Sequence, residues 1–100
     1  MYAIAFDLDQ DTLSKTYGNA SYTNAYNDIK KTLENFHFTR QQGSVYFGDR
    51  NKVDAVTCVM AAMELAQKYT WFAPSVSDIR MLRIEDDNDL RPALERATRS

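Results

Sequence analysis

Residues 2–8 read Tyr-Ala-Ile-Ala-Phe-Asp-Leu, and this alternation constrains the chain more tightly than any other feature. On an extended backbone Tyr2, Ile4, Phe6 and Leu8 point one way, while Ala3, Ala5 and Asp7 point the other. Large apolar side chains on a single face specify a strand that covers a core with that face. The alanine face lets another surface approach closely, and Asp7 ends it with a carboxylate.

The following segments are read from where the period changes. Residues 9–19 read as a polar loop ending at Gly18-Asn19. From Ala20, the positions Tyr22, Ala25, Tyr26, Ile29, Leu33 and Phe36 recur at helical spacing, with Lys30 and Lys31 off that stripe. Phe36–Arg40 and Ser44–Phe47 alternate as two strands of a hairpin interrupted at Gln41-Gln42-Gly43. A turn at Gly48–Asn51 leads to a second helix over 53–69, with Asn51 as N-cap and Val56, Val59, Met60, Met63 and Ala66 as apolar positions. Pro74 ends this helix, and Trp71-Phe72 read as a plug at its end. Val76–Glu85 forms a fourth strand, followed by acidic residues 85–89 and a short helix over 90–97 with Pro92 in its first turn. The order βαββαβ plus a terminal helix predicts an α+β, ferredoxin-like domain over residues 1–100 with a four-stranded antiparallel sheet. Two helices cover one face of such a sheet, so the alanine face predicts a sheet-face homodimer.

The chain has 100 residues, enough for one core but not for a separate cap domain. Its net charge of −2 excludes a global basic field, so any nucleic-acid contact must use a local patch. A lone cysteine, Cys58, favours a reducing compartment. The start carries no signal-peptide pattern, and no apolar run is long enough to span a bilayer, so the expected location is cytoplasmic, with no membrane partner.

"FDLDQDT" at residues 6–12 is the most conspicuous chemical feature. It looks like the D-x-D-G-T motif of haloacid-dehalogenase-type phosphatases, with Asp7 as nucleophile and Asp9 as acid/base. Gln10-Asp11 replace the single glycine, however, and a hairpin between the helices cannot supply the larger parallel sheet such enzymes need. An EF-hand loop fails because Thr12 replaces the turn glycine and Gly18 stands where the bidentate glutamate belongs. Asp9 and Asp11 then read as solvated loop residues, and Asp7 as a strand-end carboxylate. Two copies of Asp7 facing across a two-fold axis would share a cation or compete for a proton.

Other polar groups have simpler readings. Ser44 satisfies the Gly43 turn, Asp78 and Arg80 make a local ion pair on the last strand, and Cys58 is a buried inert thiol. His37 is a partly exposed strand residue. Arg40, Arg50, Lys52, Arg80 and Arg83 are candidate phosphate contacts.

Four stretches together, "MYAIAFDL", "AYNDI", "QGSVYF" and "SVSDIRMLRIED", resemble the virulence-associated protein D (VapD) family in order and over nearly the whole chain. The resemblance implies a ferredoxin-like homodimer similar to the nuclease-fold subunit of CRISPR adaptation systems. It also implies an endoribonuclease acting as the toxin of a bacterial toxin–antitoxin module, with RNA as substrate and a cognate antitoxin protein as partner. On this resemblance Asp7, Ser44 and Asp78 are the catalytic candidates; from the phosphate contacts above, Arg40, Arg80 and Arg83 are the RNA-binding candidates. Asp7 would hold a divalent cation such as Mg2+ or act as general base. The chain departs from the family at Ser77, where members carry Arg, and in the acidic loop with Asp9 and Asp11. The competing expectation is a non-enzymatic dimer that binds a protein partner.

Overall fold

A computed structural model describes residues 1–18 and 23–99. The expected helix start at Ala20 and the apolar position Tyr22 lie outside the described residues. Four strands, β1 (Tyr2–Leu8), β2 (Phe38–Gln42), β3 (Val45–Gly48) and β4 (Val76–Arg83), form one sheet in the order β2-β3-β1-β4. All three pairings are antiparallel. With α2 (Thr23–Asn35) after β1 and α3 (Ala55–Lys68) after β3, this is the ferredoxin-like arrangement. Three further helices, α1 (Gln10–Thr16), α4 (Phe72–Ser75) and α5 (Arg91–Thr98), complete the described elements.

The predicted faces of β1 hold. Ile4 and Phe6 are buried in the main core with Leu13, Ile29, Leu33, Phe38, Tyr46, Leu65 and Phe72. Each full-size apolar side chain buried there contributes about 1.5–3 kcal/mol. Trp71 and Phe72 are buried, as expected of a helix-end plug; Trp71 stacks on Tyr69 at 5.0 Å and meets Tyr17 edge-on at 5.3 Å. Asp7 is exposed on the opposite face, and Ala3, although on that face, is fully buried by its neighbours across β3 and β4, Phe47 and Leu82.

Several local expectations are corrected. Residues 10–16 are helical rather than loop: Asp9 accepts a hydrogen bond from the Thr12 amide at 3.1 Å and caps α1. Asp11 then lies in the first turn, where a carboxylate favours the helix dipole. Asn51 is not the cap of α3; Asp54 is, through a reciprocal box with Thr57. Pro74 does not end α3 but sits within α4, after the chain has left α3 at Tyr69.

The largest correction concerns which side of α3 faces the sheet. Cys58, Ala61 and Leu65 are buried, whereas Val56, Val59, Met60 and Met63 are each more than half exposed. Small residues let α3 settle close to the sheet, which leaves the bulky apolar stripe outside. Tight packing also marks the β3–α3 connection, where a Cβ on Gly48 would lie 2.6 Å from a Val53 methyl.

Candidate active site

β1 ends with its open-face side chain, Asp7, directly opposite Asp78 of β4. Opposed residues of an antiparallel pair have Cβ atoms roughly 4.5–5.5 Å apart, and like charges so placed repel. Arg80, two residues along the same face of β4, offsets that charge: its Nε donates to both Asp78 oxygens at 3.1 and 3.3 Å. The expected Asp78–Arg80 ion pair is therefore present, 3.1 Å long and exposed. Asp7 is in neither of the two ion pairs found among the described residues.

The pairing register shifts immediately after this point. Asp7 faces Asp78 but Leu8 faces Val76, so Ser77 is the extra residue of a β-bulge. The Ser77 hydroxyl donates to the Asp7 carbonyl at 3.1 Å, pinning the backbone beneath the carboxylate. Sequence reasoning treated Ser77 only as a missing arginine; a bulge leaves no trace in apolar alternation. Beyond the bulge the Asp9 amide donates to the Ser75 carbonyl at 2.7 Å, and the hydroxyl of the buried Ser75 lies 3.2 Å from that of the exposed Thr16. These contacts hold α1 and α4 together behind the site.

Ser44 arrives from the other side. It follows Gly43, whose φ of +50° makes the hairpin turn, and its carbonyl accepts from the Phe6 amide at 3.1 Å. That bond extends the β1–β3 ladder past Val45 and fixes Ser44 next to the end of β1. Asp7, Ser44, Asp78 and Arg80 consequently line one hollow of about 220 Å³, walled by Ala5, Val45 and Leu82.

Arg40 and Arg83 are not brought to this hollow. Arg40 pairs with Tyr46, and Arg83 with Tyr2, both on the helix-covered side of the sheet. His37 is exposed with φ of +69°, ending α2 through its amide bond to the Glu34 carbonyl. Cys58 is buried, and burial pushes its thiol above the ordinary value, which keeps it protonated. Asp9, the acid/base of the phosphatase reading, is engaged as a helix cap, and the antiparallel sheet removes that reading's scaffold.

The donor set bears on a metal. No cluster of three or more His, Cys, Asp or Glu side chains is found among the described residues. Asp7 and Asp78 supply two hard carboxylates, which suits Mg2+, an ion that keeps several waters and takes one or two carboxylates plus substrate phosphate. It does not suit a soft or fully caged metal.

Comparison with known proteins places this geometry in a family. The family model described as "CRISPR associated protein Cas2" matches residues 1–91. A protein of Riemerella anatipestifer named "Endoribonuclease VapD 2" is 49% identical over 94% of this chain and 99% of its own length. The chain belongs to the VapD group of the Cas2 family. Its VapD relatives include an "Endoribonuclease VapD homolog" of Helicobacter pylori, 48% identical over 95% of this chain and 97% of its own. Another, "Endoribonuclease VapD" of Dichelobacter nodosus, is 43% identical over 89% and 91%.

Proposed function

We propose that this protein is an endoribonuclease that cleaves an RNA phosphodiester in the hollow between the end of β1, the Gly43-Ser44 turn and the start of β4. The observation that carries the reading is the convergence of Asp7, Ser44, Asp78 and Arg80 on one hollow of a VapD relative. Asp7 is the carboxylate without an ion-pair partner in that group, so it is free to take a proton from the attacking oxygen. Arg80 offsets phosphate charge while remaining tied to Asp78, and the Ser44 hydroxyl orients a phosphate oxygen. With Mg2+ bound, Asp7 and Asp78 would hold the ion and it would neutralise developing phosphate charge. Cleavage of labelled RNA with and without EDTA separates the two roles of Asp7: loss in EDTA assigns it to the metal, and persistence assigns it to proton transfer.

The active form is a homodimer joined through the open sheet face, where Ala3, Ala5, Val45, Phe47 and Leu82 surround the approach to Asp7. A two-fold axis there would bring the two Asp7 carboxylates to one cleft. The protein acts in the cytoplasm as the toxin of a toxin–antitoxin pair; induced expression in a bacterial host should arrest growth, and co-expression of a cognate antitoxin should relieve it.

A second reading, a protein-binding dimer without catalysis, rests on the exposed apolar stripe of α3. Intact RNA at high protein concentration, together with equal behaviour of wild type and Asp7→Asn, would favour it.

A further inference from the structure

Ser44 lines two hollows, not one. The first holds Asp7; the second, of about 280 Å³, lies on the other side of the Gly43-Ser44 turn, between α2 and the β2–β3 hairpin. α2 contributes Thr23, Tyr26, Asn27 and Lys30, one face at helical spacing flanking the buried stripe Ala25, Ile29 and Leu33. The hairpin contributes Arg40.

The charge of this second hollow is one-sided. Lys30 and Arg40 line it, and among the described residues no carboxylate does and neither cation is in an ion pair. In a chain of net charge −2 that is a local anion site. Arg40 is also held in place: its Nε donates to the Gly43 carbonyl at 2.8 Å, leaving its terminal nitrogens for a second partner. The Tyr26 ring is fixed at its far end, where Gln10 Nε2 donates to the phenol oxygen at 2.6 Å. The phenol of Tyr46, which also lines the hollow, is neutral: burial raises it above its ordinary 10.0 against the pull of Arg40, with Glu34 adding to the rise.

The geometry points to a nucleotide subsite for single-stranded RNA beside the cleavage hollow. The chain crosses the Gly43-Ser44 turn, the neighbouring phosphate lies between Lys30 and Arg40, and its base rests against Tyr26 and the Asn27 amide. A duplex does not fit this account, because a base must leave its stack to reach Tyr26. The inference rests on the endoribonuclease reading for the identity of the first hollow, but its test is a binding measurement that does not need cleavage.

Fluorescently labelled single-stranded RNA of about ten nucleotides is titrated with Asp7→Asn protein, alone and combined with Lys30→Ala or Lys30→Arg. Lys30 is exposed, so the thermal midpoint serves as a fold control. The expected result is an affinity loss of about fivefold with Lys30→Ala, with the slope of log K against log salt smaller by about 0.7. Lys30→Arg restores both. In the active protein, Lys30→Ala lowers kcat/KM for the oligomer at least several-fold more than for a dinucleotide, which fills only the first hollow. Unchanged affinity and salt slope, or equal losses on oligomer and dinucleotide, would overturn the subsite. Failure of wild type to cleave any RNA would overturn the nuclease reading, while the binding titration would still decide the subsite.

Discussion

Asp7 and Asp78 face each other across β1 and β4, a placement that stability alone would disfavour. Its cost is met by one guanidinium, which pairs with Asp78 and leaves Asp7 without an ion-pair partner among the described residues. Such an unbalanced carboxylate at a strand end belongs to chemistry more readily than to folding. The position of Asp7 was legible in the sequence because period two fixes faces residue by residue. The role of Asp9 was not: α1 buries only Leu13, so no apolar stripe announced the helix that Asp9 caps. The Ser77 side chain is exposed at the bulge beside the hollow. Ser77→Arg should therefore add a phosphate contact, tightening RNA binding by about fivefold and steepening the salt slope by about 0.7 in the same titration. An unchanged salt slope would contradict it.

At the scale of elements, β1 and β3 were readable because their alternation follows burial on one face, whereas β4, exposed along nearly its whole length, was readable only from its apolar residues Ile79, Met81 and Leu82. The apolar positions Val56, Val59, Met60 and Met63 mark α3 as a helix but do not say which side turns inward: its inner face is Cys58, Ala61 and Leu65, and the small Cys58 and Ala61 let it pack closely. At the connection between β3 and α3, Gly48→Ala should destabilise the protein by about 1–3 kcal/mol, measured by denaturant unfolding, because the added methyl meets the Val53 side chain. The cap of α3 carries a pH dependence. Hydrogen bonds from the Thr57 amide and hydroxyl hold Asp54 below its ordinary value of 3.8. A carboxyl depressed on folding contributes stability above its unfolded pKa and loses it as pH falls through the folded one. Asp54→Asn keeps a capping side chain without the charge, so its thermal midpoint should fall less than that of wild type as pH drops below about 4. Parallel curves for the two proteins would argue against the cap as the source.

The molecule as a whole carries more apolar surface than one protomer covers. Val56, Val59, Met60 and Met63 on α3 are exposed, and so are Leu90 and Leu94 near α5, a helix with no buried residue. The described chain is elongated, 52 by 32 by 20 Å. The resemblance anticipated a dimer, and the sequence placed its contact at the open sheet face; the α3 stripe was not anticipated as surface, because tertiary packing decides which side of a doubly apolar helix turns inward. Light scattering after size exclusion should give about twice the 11.5 kDa chain mass, and Leu82→Arg on the open face should shift it toward the monomer. A dimer untouched by Leu82→Arg but broken by Val59→Glu would move the interface to α3.

If the carboxylate at the end of β1 carries out RNA cleavage, its amide should not. The direct measurement is the rate at which purified wild type and Asp7→Asn cleave the same labelled RNA, at equal concentration and matched thermal midpoints. Asp7→Asn should retain RNA binding and lose cleavage by about a hundredfold or more. Equal cleavage rates for the two proteins would contradict it.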